Sequence, residues 1–492
     1  MTDKEQQLYK DRVKKLEALK KAGLDTYPAT AHRTHTIAEV LQKFESLAKQ
    51  KKKVSLTGRI RAIRAHGALA FGNLEDESGS IQFMLKEDDL GKEKFDIFTK
   101  FFDIGDFLQG AGELIETKRR EKTLVVSDYQ ILTKSLKALP EKWHGLTDEE
   151  TRLRKRYLDM IAHPNVRDMF RKKNIFWQAV RQFLAEKGFL EVQTPVLENI
   201  PGGADAEPFV THHNALDRDF YLRISLELPL KRLLVGGFDR VFEIGRLFRN
   251  EGMDREHLQE YDDMEFYMAY ADHETGMELV EQMFKKIVNE VVGTIETTFA
   301  GHRLDWGKKW PRVDYFEALK KESNIDLAKN PSAEELKKQA DKLGLKYDPA
   351  YGKGRMIDTI YKQTVRDKLI QPCFLVGHPI EISPLAKIDP KDSKKVLRFQ
   401  VVAGGTELGN GWSELNSPIE QRSRFEQQMK LREGGDKEAQ MMDEDFVEAL
   451  EYGMPPAVGF GLSERLFAVL MDKSIRETVI FPPMKEVGKN RE

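Results

Sequence analysis

Between Arg249 and Asp272 the chain reads RNEGMDREHLQEYDDMEFYMAYAD, a polar loop running into strand-like alternation. Glu265 and Tyr267 are two residues apart, so a strand points both to one face. Arg249 and Glu251 share that spacing. One short hairpin thus gathers a cation, two carboxylates and a phenol. Burying such a cluster is costly unless a charged ligand or a counter-charge satisfies it. The stretch reads as the wall of a pocket for a charged small molecule together with one that carries phosphate.

A chain of 492 residues is long enough for more than one domain and a large core. Hydrophobic content of 40% against 33% charged residues excludes a disordered chain. The net charge of −2 leaves no global basic field, so any nucleic-acid contact rests on local patches. A single cysteine, Cys373, excludes an internal disulfide and a multi-cysteine zinc site. No apolar run approaches the ~18 residues of a membrane span, and the N-terminus lacks the apolar core of a signal peptide. The expected location is the cytoplasm, with no membrane partner.

Residues 1–53 read as a basic helix and a connector. Tyr9, Val13, Leu16 and Leu19 have helical spacing, six lysines and an arginine surround them, and Gly23 ends the helix. The face is either solvated and docked on the body or in contact with nucleic acid. Residues 54–139 change to short strands with polar or glycine-containing turns and one helix near 87–103, the pattern of an OB-type barrel. Such barrels stack bases of single strands on aromatics. Phe71 and Gln82 fall on neighbouring strands; Phe71 suits stacking and Gln82 a base edge, although by composition alone Phe71 reads as core. Residues 140–150 read as a linker.

From 151 to 492 strands and helices alternate without a regular βα rhythm. A long helical region ends at Gly188, and FLEVQTPVL reads as a strand stopped at Pro195. Residues 273–370, rich in lysine, read as a surface insertion. Two more clusters carry chemistry. In ELGNGWSELN, Asn410, Trp412 and Glu414 alternate, so a strand lines one face with an amide, an aromatic wall and a carboxylate. Gln400 and Glu407 are candidates to reach a metal-bound triphosphate, since magnesium is commonly held by one or two carboxylates plus phosphate oxygens. In GFGLSERLFAVL, glycines permit close backbone approach and Arg465 opens a helix, where an arginine suits phosphate.

Together with GFLEVQTP, these clusters resemble motifs 1, 2 and 3 of the class II aminoacyl-tRNA synthetases. From about Val54 to Met484 the likeness is to the lysyl branch, through LPEKWHGLTDEETRLRKRYLDMI, IPGGADAEPFVTHHNALDRDFYLRIS, LLVGGFDRVFEIGRLFRNEG, HPIEISPLAK and ELGNGWSELN. The resemblance implies an α+β architecture: an N-terminal OB-fold barrel that binds the anticodon, then an antiparallel catalytic sheet flanked by helices. It implies activation of L-lysine by ATP with Mg2+, transfer to tRNA(Lys), and a homodimer through Gly188–Pro195.

Residue by residue, the resemblance assigns Arg249 to the lysine carboxylate and the α-phosphate. It assigns Arg465 to the adenine face and the γ-phosphate. Glu251 and His257 match positions near adenine and phosphates, Tyr261 the stacking aromatic, and Glu407 with Gln400 the metal. Gly203 and Glu227 match contacts to the α-amino group; Asn410 helps fix the carboxylate. Glu265, Tyr267 and Glu414 match contacts to the ε-ammonium, with Trp412 as the wall. Phe71, Gln82 and Glu121 match the anticodon-reading positions, with a U-rich target. Departures from the bacterial pattern include Gln400 for a second metal-binding Glu, Glu207 for an Arg, Trp412 for Phe or Tyr, and Asp262 in motif 2. In motif 3 the glycines are offset by one from Arg465. Three alternatives stay open: a ligase for aspartate or asparagine, a protein-lysylating relative, and a non-catalytic or regulatory tRNA-binding relative.

Overall fold

The structure, a computed structural model, describes residues 3–140, 146–252 and 258–485. The chain forms two compact units, Met1–Thr147 and Asp148–Glu492.

In the first unit, five strands close into a barrel: Val54–His66, Leu69–Glu75, Ser80–Lys86, Phe107–Glu116 and Lys122–Thr133. Alternate residues such as Leu56, Leu74, Phe83, Leu108 and Leu124 fill its interior, as a two-residue period requires. The helix Lys92–Phe101 adds Phe95 and Phe98 to the same apolar cluster. Leu19, Ile37, Val40, Phe44 and Leu47 join that cluster too, so the first 53 residues belong to the barrel's unit. The helix Asp3–Lys21 differs from its sequence reading: Tyr9 is exposed and Arg12 is buried. The Arg12 guanidinium donates to the carbonyls of Ile104 and Ser135 at 2.9 Å and of Lys137 at 3.0 Å. A planar fork with five donors can be buried where carbonyls converge; an unpartnered phenol gains nothing there.

The second unit is built on an eight-stranded sheet. Its order is Arg312–Asp314, Cys373–Val376, Arg398–Ala403, Thr406–Ser413, Ala457–Ser463, Glu260–Ala269, Arg240–Phe248 and Leu190–Glu191. Pairing is antiparallel except at the two outermost pairs. One face is apolar. Phe242, Phe266, Phe399, Val401, Phe460 and Leu462 pack there against Phe176, Val180 and Phe183 of the helix Pro164–Glu186 and Val280, Phe284 and Ile287 of the helix His273–Val292. Alternation sends Asp263, Glu265 and Tyr267 to the opposite face. This is the α+β architecture expected, with a barrel ahead of an antiparallel-dominated sheet. Among the described residues no helix is long and apolar enough to cross a membrane.

Three expectations change. The long helical region is three helices, Glu149–Arg154, Arg156–Ala162 and Pro164–Glu186; Pro164 occupies a first turn, where its missing N–H costs nothing. FLEVQTPVL is not a continuous strand, and only Leu190–Glu191 and Leu197–Glu198 pair. Between them Thr194 gives its N–H (2.9 Å) and hydroxyl (2.7 Å) to Glu243 Oε2, and Pro195 has no N–H to give. The stretch 273–370 is not wholly a surface insertion. Its first helix, His273–Val292, is core, because Met277, Val280, Phe284, Ile287 and Val291 repeat at helical spacing. Its later helices enclose a separate apolar cluster around Tyr315, Leu336, Ile357 and Ile360.

Candidate functional site

The polar face of the sheet floors a cavity of about 280 Å³. Asp263, Glu265 and Tyr267 reach it from one strand, Asn410 and Trp412 from a second, Gly459 and Gly461 from a third. All follow from alternation on adjacent strands: Glu265 pairs with Gly461, and Gly461 with Asn410. Side chains at Gly459 and Gly461 would occupy the space instead; a Cβ on Gly459 would lie 2.3 Å from Glu414 Oε1 and from the Tyr267 ring.

One end is acidic and buried. Glu265 Oε1 accepts from Ser225 Oγ at 2.7 Å and Leu226 N at 2.8 Å, while Oε2 accepts from the Tyr267 hydroxyl at 2.9 Å. Glu227 and Glu414 are likewise buried. Burial raises Glu227 to about 8, against the pull of Lys231 and helped by repulsion from Glu414 and Glu265. Burial raises Glu414 to about 7, again against Lys231. Gly203, at φ +85°, lines the cavity beside Glu227, and a Cβ there would meet Ser225 Oγ at 2.8 Å.

The other end is cationic. Arg249 leaves the strand Arg240–Phe248 and stands over the Tyr261 ring, 5.5 Å from its centroid. Burial disfavours its charge, but Tyr261, Glu251, Asp263 and Glu265 raise its pKa. Asp263 is pushed to about 8 by burial and by Glu265, with Arg249 opposing. Arg465 donates to the Glu407 carbonyl at 3.3 Å, and both residues line the cavity. Its helix, Arg465–Leu470, has six residues, so the guanidinium itself is the charge on offer.

The cavity therefore brings together Gly203, Glu227, Arg249, Glu251, Tyr261, Glu265, Tyr267, Glu407, Asn410, Trp412 and Arg465. Glu414 stands behind Trp412, whose Nε1 donates to its Oε2 at 2.9 Å. Gln400 is not brought in. It pairs with Asn410 across the sheet but is buried, outside the cavity lining and beside His378. The donor set at this end is thus Glu407 alone of the two proposed metal ligands. Among the described residues no group of three His, Cys, Asp or Glu side chains is arranged to hold a metal. A single carboxylate still fits magnesium that keeps phosphate oxygens and water as its other ligands. His257 lies outside the described residues.

Sequence reasoning missed groups that line the cavity, Asp263 and Arg398 among them, and Lys231 buried behind the lining. Asp263 continues the alternation of Glu265 and Tyr267. Lys231 lies four residues after Glu227, the helical ion-pair spacing. Arg398 lines the cavity, holding Asn410 Oδ1 at 3.0 Å and the Ile382 carbonyl at 2.6 Å; no motif pointed to it.

On the barrel, Phe71 and Gln82 occupy the outer face of adjacent strands, Phe71 opposite Met84 and Gln82 opposite Asn73. The Thr123 hydroxyl lies 2.8 Å from Gln82 Oε1 and 3.0 Å from the Glu121 carbonyl, which brings Gln82 and Glu121 together. Phe71 is half-buried and Glu121 exposed.

Comparison with known proteins agrees with this division. Residues 148–485 match the family model of tRNA synthetases class II (D, K and N), and residues 54–132 match that of the OB-fold nucleic acid binding domain. A lysine–tRNA ligase of Moorella thermoacetica is 45% identical over 476 residues, 96% of this chain and 97% of its own. One from Roseiflexus castenholzii is 46% identical over 482 residues, 97% of this chain and 99% of its own. One from Halalkalibacterium halodurans is 44% identical over 481 residues, 96% of each chain.

Proposed function

The chain belongs to the class II tRNA synthetases (D, K and N), and from that premise we propose how its residues carry the reaction. The reaction is that of a lysine–tRNA ligase. A carboxylate oxygen of L-lysine attacks the α-phosphorus of ATP, pyrophosphate leaves, and lysyl-adenylate forms. The terminal ribose hydroxyl of tRNA then attacks the carbonyl carbon, and AMP leaves. The observation that carries the substrate assignment is the acidic end of the cavity, where Glu227, Glu265 and Glu414 meet, among the described residues, a single protein ammonium. Such a slot is short of cations and repels the side chain of aspartate. Intact Arg249 and Arg465 favour a catalytic protein over a regulatory relative.

In this reading Arg249 bridges the lysine carboxylate and the α-phosphate and holds them in line. Tyr261 and Arg465 enclose adenine, Arg465 also meeting the γ-phosphate, with Glu251 nearby. Gly203 and Glu227 receive the α-amino group, Asn410 the carboxylate, and Tyr267, Glu265 and Glu414 the ε-ammonium, with Trp412 as wall. Magnesium, when bound with ATP, neutralises phosphate charge, and Glu407 would hold it. Phe71, Gln82 and Glu121 read the anticodon of tRNA(Lys). Exposed Leu190, Leu197 and Val210 support a homodimer through the Gly188–Pro195 region, and the cytoplasm is the proposed location. Amino-acid-dependent ATP–pyrophosphate exchange tests the assignment. Exchange with lysine and none of the other nineteen is expected; exchange with aspartate or asparagine instead would overturn it.

A further inference from the structure

The helix Glu227–Val235 carries a cation with no part in the chemistry just described. Lys231 is fully buried. Its Nζ donates to Glu227 Oε1 at 2.6 Å and also contacts Glu414 Oε2. Trp412 Nε1 donates to that same Oε2. Two donors thus converge on one oxygen of Glu414, while the other, Oε1, is buried without a hydrogen-bond partner. A buried carboxylate oxygen left without a donor is costly. Oε1 lies against Gly459, a residue of the cavity lining. Glu265, by contrast, has donors on both oxygens.

Resting on the lysine-binding reading above, we infer that Lys231 is a positioning residue for substrate recognition: a built-in ammonium that holds Glu227 Oε1 and Glu414 Oε2 and so presents Glu414 Oε1 to the ε-ammonium of lysine. The arrangement solves a charge problem. Three carboxylates are crowded together, and a ligand that brings one ammonium to each end of the slot would still leave one of them uncompensated. Lys231 supplies that third cation permanently. Burial works against its charge, yet Glu227 and Glu414 together raise its pKa, so it stays an ammonium. The Phe446 ring, 5.7 Å from Nζ, closes the remaining side.

Lys231→Met keeps the stem and removes the charge. In ATP–pyrophosphate exchange it is expected to raise the KM for lysine by at least ~30-fold, as loss of one partner in a buried charged pair does, with kcat and the KM for ATP little changed. Competition by 2-aminohexanoate, which has the same stem without the terminal amine, is expected to be unaltered. A merely structural Lys231 would instead weaken lysine, ATP and 2-aminohexanoate together, and that result, or an unshifted KM for lysine, overturns the inference. Should Lys231→Met not fold, a crystal structure of the wild type with lysine decides. The ε-nitrogen is expected on Glu414 Oε1 with Lys231 still on Oε2; an ε-nitrogen on Oε2 with Lys231 displaced overturns it. Absence of lysine-dependent exchange in the wild type would remove the functional reading and this inference with it. Normal wild-type exchange with a wild-type-like KM for lysine in Lys231→Met removes the inference alone.

Discussion

The cavity of the catalytic unit and the outer face of the barrel are marked in opposite ways. In the cavity, carboxylates are buried and shifted in pKa: Asp263 and Glu227 to about 8, Glu414 to about 7. On the barrel, Phe71 is half-buried, Glu121 is exposed, and Gln82 already has the Thr123 hydroxyl as partner. A pocket for a small charged ligand must be built before the ligand arrives, so its cost is written into the protein's own side chains. A surface for a nucleic-acid strand gains most of its energy from stacking and from phosphates that the strand brings. Nothing in the unbound barrel need be unsatisfied.

The largest effect expected from breaking this contrast is at Arg249. Arg249→Ala removes the cation proposed to join the carboxylate and the α-phosphate, and lysine-dependent exchange is expected to fall by ~10²–10³-fold. The melting temperature is expected to change little, because loss of the attraction to Asp263 and Glu265 is set against removal of a buried charge. A parallel loss of both would make Arg249 a structural residue. Next is Gly459→Ala. Its Cβ would sit 2.3 Å from Glu414 Oε1 and from the Tyr267 ring, so the KM for lysine is expected to rise by ~10²-fold with the KM for ATP nearly unchanged. Overpacking adds about 1–3 kcal/mol of destabilisation, read by denaturant titration. A wild-type KM for lysine would move the ε-ammonium seat elsewhere.

The barrel answers to a different assay. Phe71→Ala is expected to leave exchange intact, because no tRNA takes part in it. The kcat/KM of tRNA charging is expected to fall by ~10–100-fold, as loss of a stacked base implies. Equal losses in both assays would mean that Phe71 acts through the stability of the protein and not through a stacked base.

How much of this was legible beforehand follows from the same contrast. Alternation fixed the barrel and the pocket face of the central strands, because Asp263, Glu265 and Tyr267 obey a local rule. The break of FLEVQTPVL was not legible, since it depends on Glu243, some fifty residues away, capturing Thr194. The core role of His273–Val292 was written in its helical spacing but hidden by the lysines around it. Gln400 was placed with a metal by resemblance, and the sheet buries it beside His378 instead. Lys231 was readable as an ordinary ion pair with Glu227; its contact with Glu414 joins residues 183 positions apart, and only the fold could show it.

The smallest expected effect, and the most direct test of a prebuilt acidic slot, is the pH dependence of lysine binding. Glu414 and Glu227 have pKa values of about 7 and about 8, raised first by burial. Glu265 adds repulsion to both, and Lys231 favours the ionised forms. These two carboxylates thus hold more protons in the folded protein than in the unfolded chain between about pH 5 and 8, so their contribution to stability falls as pH rises through that window. Lysine reverses the balance, because its two ammonium groups favour ionised carboxylates and expel the protons they hold. Its affinity is therefore expected to strengthen between pH 6.5 and 8, the KM falling by roughly three- to tenfold, before the α-amino group of lysine begins to lose its own proton. The KM for ATP, bound at the cationic end, is expected to lack this slope. Calorimetry in buffers of different ionisation enthalpy would show protons leaving as lysine binds. A flat KM with no proton release would mean that Lys231 already keeps all three carboxylates ionised in the empty slot.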